Sequence, residues 1–342
     1  MSESIRNMSL GAIAQALRDG SLSAVELTQN CIDAHDASLN AYREWTPELA
    51  LEQARAADAA FANAQDSGVL QGIPISVKDL YGVNDTQTFA GSPAPMPPPW
   101  QADGDLISGL RAQHAVFSGK THTVEFAFGG LGVNSHWGTP RNPWDANTHR
   151  VPGGSSSGAG VSLCEGTALV ALGSDTAGSV RIPASVTGNV GLKTSYGRWP
   201  VSGIFPLSPT LDTAGILTRS VADTVTAFSA IDPHQRSYGP RLAREIARCT
   251  PADFVIGTGE PALWDDCDPG ISETVDEALR VLGRAGVQTV SAALPEAAPA
   301  IELLKVGSVV AAEIDEMLSS TAPQWRETLD PVVSSRIREG GS

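Results

Sequence analysis

Two turns rich in glycine and hydroxyls hold the residues of this sequence best suited to chemistry. The first reads Gly153-Gly154-Ser155-Ser156-Ser157-Gly158, and the second reads Asp175-Thr176-Ala177-Gly178-Ser179 ahead of Val180-Arg181-Ile182-Pro183. A small-residue turn between a strand and a helix start leaves several N–H groups unpaired and pointing outward, a geometry that holds anions. A serine at the end of such a turn has its oxygen beside those donors. Ser179 is thus a candidate nucleophile, and the N–H groups of Thr176, Ala177, Gly178 and Ser179 are a candidate oxyanion hole for acyl transfer. A tight turn selected for sterics alone is the alternative.

A serine hydroxyl is a weak nucleophile and needs a base. None of the six histidines is marked as that partner, although His136 and His149 lie in an irregular segment that could approach the site. Lys78 is the better candidate, because it ends a strand inside the apolar stretch Ile73 to Leu80, where burial favours the neutral amine. An ion pair with Asp79 or Asp175 is the ordinary reading of this lysine taken alone. A hydroxyl of the first turn could relay a proton between Lys78 and Ser179; a flexible loop, or the cap of a helix beginning near Ala159, competes with that role. Gly154-Ser-Ser156-Ser-Gly158 also fits the nucleophile elbow G-x-S-x-G. That motif needs a strand before it, and Asn147 to Pro152 is polar. No G-x-x-x-x-G-K-[ST] phosphate loop occurs.

The elements that must position these turns follow from periodicity and capping. Helices are predicted from Ser9 to Gly20, from the capping box Ser23-Ala-Val-Glu26 to Ala37, and from Thr46-Pro47-Glu48 to Gln65. They form a helical lead-in over residues 1–66. A strand at Ile73 to Lys78 follows, then a Pro-rich surface loop at Pro93 to Trp100, a helix from Asp105 to His114, a strand at Ala115 to Gly119 and a helical turn near Val124 to Phe128. The segment Gly129 to Gly154 is irregular. Beyond the second turn, Asp212 to Leu217 enters a strand and Ser220 to Ile231 is helical. Strands near Phe254 to Gly257 and Gln288 to Val290 alternate with helices at Ser272 to Gly286, Ala298 to Ser319 and Pro331 to Glu339. This alternation predicts an α/β fold with a sheet covered on both faces. No repeat or linker divides it, so 1–342 reads as one domain, with 224–342 as peripheral strands and helices.

Composition narrows the partners. A formal charge of -15 argues against nucleic acid and anionic membranes, whose binding depends on Lys and Arg. The first residues lack an apolar leader, and no apolar run approaches a bilayer span. Cys31, Cys164, Cys249 and Cys267 include no CxxC pair. They read as buried thiols of a reducing, cytoplasmic environment rather than as disulfides or a metal cluster.

On Lys78, the Gly-Gly-Ser-Ser turn and the Asp-Thr-x-Gly-Ser-x-Arg turn, in that order, the sequence resembles the amidase signature family. The match spans Gly72 to about Asp223, the signature core. The resemblance implies a mixed central β-sheet covered by helices on both faces. It also implies a triad with Ser179 as nucleophile, Ser155 as bridging serine in a cis peptide and Lys78 as base, giving an acyl-enzyme. Ser156, Asp175 and Arg181 match positions that hold the turns together, and Phe128, Gly129, Gly130 and Trp137 fall in the segment that lines the acyl pocket. The implied reaction is hydrolysis of a C–N bond in a small amide, carbamate or urea derivative, without metal or organic cofactor. A homodimer is left open. The alternatives are a catalytically silent protein on the same fold or one component of a glutamine-dependent amidotransferase. Ala177 stands where many members have glycine. Members generally continue past the equivalent of Ser342, so the usual C-terminal part is expected to be lacking.

Overall fold

The computed structural model describes residues 5, 7–234, 241–264, 267–306 and 308–340. Residues 1–4 and 6, on which the absence of a leader was read, lie outside them. Ser9 accepts the Ala12 N–H to cap α1 (Leu10–Asp19), and Ser23 and Glu26 make the reciprocal capping box that opens α2 (Ala24–Asp33). β1 (Tyr42–Trp45) and α3 (Pro47–Ala62) follow; α3 buries Ala50, Ala54 and Ala57, one face at helical spacing. Next come β2 (Pro74–Lys78), α4 (Asp105–Arg111), β3 (Val116–Thr121), α5 (Ser157–Glu165), β4 (Val170–Asp175), α6 (Arg181–Thr187), β5 (Val190–Lys193), β6 (Thr213–Thr218) and α7 (Val221–Ile231).

These strands form one mixed sheet in the order β1-β3-β2-β4-β6-β5. β3, β2 and β4 run parallel at its centre, while β1, β6 and β5 join antiparallel. Strand alternation sends successive side chains to opposite faces. Leu172 and Ile216 join the large core with α1 to α4 and α7, whereas Ala171 and Leu217 pack with Ala159, Leu163, Val180 and Ala184 of the α5 and α6 side. Helices therefore cover both faces, as the alternation of elements predicted. Three parallel strands also end at one edge, and in such sheets the crevice beyond the carboxyl ends is where ligands bind.

The C-terminal part comprises α8 (Arg241–Ile246), β7 (Val255–Thr258), α9 (Pro261–Trp264), α10 (Ile271–Arg284), β8 (Gln288–Ser291), α11 (Ala297–Val306), α12 (Val309–Thr321) and α13 (Pro331–Gly340). β7 and β8 make a separate two-stranded parallel sheet. α12 and α13 return to the main core through Ile314, Leu318, Trp325, Val333 and Ile337.

Several expectations need correction. β1 and β5 were not foreseen, since four-residue strands such as Tyr-Arg-Glu-Trp are too short to establish alternation. The helix expected from Ala298 to Ser319 is two, because Ser308 accepts the Ala311 N–H and starts a new one. The Pro93 to Trp100 stretch is not wholly surface: Met96 is buried, and Trp100 packs edge-on against Phe205. All four cysteines are free, but only Cys31 is buried; Cys164 is half-buried, and Cys249 and Cys267 are exposed. The last two lie between α8 and α10, where the neighbouring described residues are mostly exposed.

Candidate active site

Lys78 is the last residue of β2, and strand alternation decides where it points. Ile75 and Val77 face the large core; Ser76 faces α5, where its hydroxyl lies 2.8 Å from that of Ser162. Lys78, two residues on, shares that face. Its side chain is fully buried, and Nζ stands 2.7 Å from Ser155 Oγ and 3.0 Å from Ser174 Oγ. Burial brings its pKa down from 10.5 to about 7, against the pull of Asp212 and Asp175. A lysine so placed is about half neutral at pH 7.

The partner expected for Lys78 as a plain ion pair is engaged elsewhere. Asp79 binds Arg43 and Lys120, each at 2.9 Å. Asp175 is the hub of the second turn: its carboxylate accepts the N–H groups of Gly178 at 2.8 Å and Val180 at 3.0 Å and two N–H groups of the Arg181 side chain, at 2.9 and 3.0 Å. Burial opposes its charge, yet Arg181 and the backbone donors hold its pKa below the ordinary value.

The first turn lies against the second. The Gly154–Ser155 peptide is cis, and the Ser156 N–H donates to the Ser179 carbonyl at 3.2 Å. Gly154 must be glycine, since a Cβ there would stand 2.6 Å from the Gly132 nitrogen. The Ser156 hydroxyl reaches the Ser174 carbonyl at 3.4 Å. Ser179 is slightly exposed, and among the described residues its hydroxyl makes no hydrogen bond, to Ser155 or to any other group. Of the four backbone donors in the second turn, that of Gly178 is taken by Asp175. Those of Thr176, Ala177 and Ser179 have no acceptor among the described residues.

Two serines, a buried near-neutral lysine and a turn with open N–H groups form an arrangement suited to acyl transfer. A family model described as Amidase matches residues 23–341. The chain belongs to the amidase signature family. It is similar to a 2-amino-5-chloromuconic acid deaminase of Comamonas testosteroni, 48% identical over 335 residues, which are 97% of this chain and 71% of that protein. It is also similar to a glutamyl-tRNA(Gln) amidotransferase component of Chloroflexus aggregans, 36% identical over 299 residues, 84% of this chain and 60% of the relative. A crystal structure of an amidase superposes with a TM-score of 0.86 at 29% identity, over 97% of this chain and 74% of the other. The chain is thus placed in a family of enzymes, amidases and related hydrolases.

In this amidase the segment expected to line the acyl pocket is divided. Phe128 and Gly129 border a cavity of about 130 Å³, and the Gly130 carbonyl accepts the Gly154 N–H at 2.7 Å. Trp137 stands apart, with its indole N–H donating to Ser92 O at 2.8 Å and its ring edge-on to Phe89. His136 faces the buried Glu125 at 3.2 Å, and His149 lies 3.4 Å from the Pro140 carbonyl. Neither histidine serves the serines.

Two neighbours of the lysine escaped the sequence reading. Ser174, the penultimate residue of β4, touches Lys78, and Asp212, just before β6, accepts the Thr176 hydroxyl at 2.5 Å and the N–H groups of Leu207 and Ser208. Burial raises the pKa of Asp212. Both border a cavity of about 260 Å³. The signal for Ser174 was its place beside Asp175 at the end of an apolar strand; Asp212 carried none, being brought in from 36 residues beyond Thr176.

Proposed function

We propose that this chain hydrolyses a C–N bond of a small amide, carbamate or urea derivative through an acyl-enzyme on Ser179. Neutral Lys78 takes a proton from Ser155, and Ser155 takes one from Ser179 as its oxygen attacks the carbonyl carbon. The oxyanion is held by the N–H groups of Thr176, Ala177 and Ser179, which costs no reorganisation when charge develops. Gly178, whose N–H is bound by Asp175, serves by shape. The proton then passes back through Ser155 to the leaving nitrogen, and water entering by the reverse relay frees the acid. The relay requires the Ser179 hydroxyl, which makes no hydrogen bond among the described residues, to reach Ser155 by a turn about the Ser179 Cα–Cβ bond.

One observation carries this reading: a fully buried lysine, with a pKa near 7, lies 2.7 Å from a serine oxygen whose neighbour in sequence is hydrogen-bonded to Ser179. The relative whose name speaks of a deaminase is also the more similar of the two, at 48% against 36% for the amidotransferase component. Release of free ammonia or amine, without transfer to an acceptor, fits that relation. The test is a fluorophosphonate probe with peptide mapping, followed by amine release from a panel of amides, carbamates and ureas. Ser179 is expected to carry the label, Ser179→Ala to abolish both label and turnover, and Ser155→Ala to slow turnover about 10²- to 10⁴-fold, the usual worth of a proton-transfer group. Folded chain that takes no label on Ser179 would favour a silent protein on the same fold.

A further inference from the structure

The 130 Å³ cavity beside Phe128 and Gly129 holds a charge that the mechanism leaves unused. Its wall includes Arg336, which reaches in from α13. Nη1 of Arg336 donates to the Phe128 carbonyl at 2.7 Å, and the guanidinium lies 6.0 Å from the Phe128 ring. Among the described residues no carboxylate lies within ion-pair distance of it. A guanidinium has five N–H donors in a planar fork shaped for carboxylate, and here one is used.

The nearest acid on the wall is not a partner either. Asp330 is committed to the Ser135 hydroxyl at 2.5 Å and to the N–H groups of Val332 and Val333 at 2.8 and 3.4 Å, which makes it the cap of α13. Glu125, behind it, is pushed by burial up to about 7. The rest of the wall is apolar or backbone, including Val124, Leu131, Val133 and Val332. The cavity also adjoins the first serine turn: the N–H of Val124, on its wall, donates to the Ser155 carbonyl at 3.2 Å, and a Cβ on Gly154 would stand 2.6 Å from the nitrogen of Gly132, also on its wall. A Cβ placed on Gly130 would stand 3.6 Å from Ile182 Cδ1, and one on Gly178 would stand 2.7 Å from that same atom. Ile182 therefore packs against both Gly130 of this loop and Gly178, the residue before Ser179. Gly129 keeps the space open, since a Cβ there would lie 2.9 Å from Arg336 Nη1.

We infer that this cavity is the acyl-side subsite and that Arg336 receives a carboxylate at the far end of the substrate. The inference rests on the hydrolase reading above and names its substrate class: amides whose acyl chain ends in a carboxylate. The apolar wall accommodates the short chain, and the fork of Arg336 sets the distance from carboxylate to scissile carbonyl.

The test compares ω-carboxylated amides (malonamate, succinamate, glutaramate, adipamate) with n-alkyl amides of matched length. The carboxylated series should be preferred at one length. In Arg336→Met the ratio of kcat/KM between carboxylated and neutral amide should fall about tenfold to a hundredfold through KM, the usual effect of losing a charge-assisted fork, and Arg336→Lys should restore part of it. An equal fall for both series, with a lowered melting temperature, makes Arg336 only a tie between α13 and the Phe128 loop and overturns the inference. So does an unchanged ratio. Binding of the same compounds to the Ser179→Ala chain, followed by calorimetric titration, separates this result from failure of the catalytic reading. There the Arg336→Met substitution should weaken the carboxylated ligands selectively, and absence of saturable binding by any of them overturns the subsite whatever the chemistry.

Discussion

Replacing Lys78 by Met should abolish turnover and at the same time stabilise the fold near neutral pH. The folded lysine has a pKa of about 7 against an ordinary 10.5, driven by burial. The unfolded chain therefore binds more protons between those two values, so wild-type stability rises with pH across that window and is flat below it. At pH 7 the unfolded lysine is fully charged and the folded one half charged. At about 1.4 kcal/mol per pH unit, this costs the folded state about 4 kcal/mol. Methionine fills a similar volume without charge, but it deprives the Ser155 and Ser174 hydroxyls of a partner, a loss of about 2 kcal/mol together. The variant should thus gain about 2 kcal/mol at pH 7, and the gain should vanish near pH 9 as the wild type recovers about 2 kcal/mol. Urea unfolding of both chains at pH 6, 7, 8 and 9 measures it. Parallel pH dependences, or a variant less stable at pH 7, would show that Lys78 is not held neutral by burial, and the base would have to be sought elsewhere.

Further outcomes follow from the same geometry. The kcat/KM of the wild type should fall about tenfold per pH unit below pH 7 as Lys78 takes up its proton, and a flat profile between pH 5 and 8 would contradict its role as base. Asp175→Ala should cost about 2 to 4 kcal/mol, because it leaves the buried N–H groups of Gly178 and Val180 in the second turn without an acceptor, while the half-exposed Arg181 can turn to water; a melting temperature within a degree or two of wild type would refute that. In native protein Cys249 and Cys267 should react promptly with an aromatic disulfide reagent, while Cys31, buried and with its pKa raised to about 12, should react only on unfolding. Mass spectrometry of the modified peptides distinguishes them.

How far the molecule could be read in advance varied with the range of the interaction responsible. Capping boxes, Pro at a helix start and the period-two pattern of Ile75-Ser76-Val77-Lys78 act within a few residues, so the first three helices and β2 were legible. Both serine turns were visible as glycine and hydroxyl clusters for the same reason. Short strands stabilised by pairing partners, such as β1 against β3 and β5 against β6, were not. Their conformation belongs to the sheet rather than to their own side chains.

The sequence by itself settled which chemical groups are available: a lysine at the end of an apolar strand and two serines in turns that only small residues can form. Tertiary structure decided what state they are in. It buried Lys78 until its charge became costly, took the Gly178 N–H for Asp175, and brought Asp212 to Thr176 across 36 residues. It also carried Arg336 from α13 to the Phe128 carbonyl, 208 residues away in sequence. Desolvation and long-range contact arise only when the sheet and its helices close together, because a pKa and a cavity are properties of surroundings that no local stretch of chain specifies.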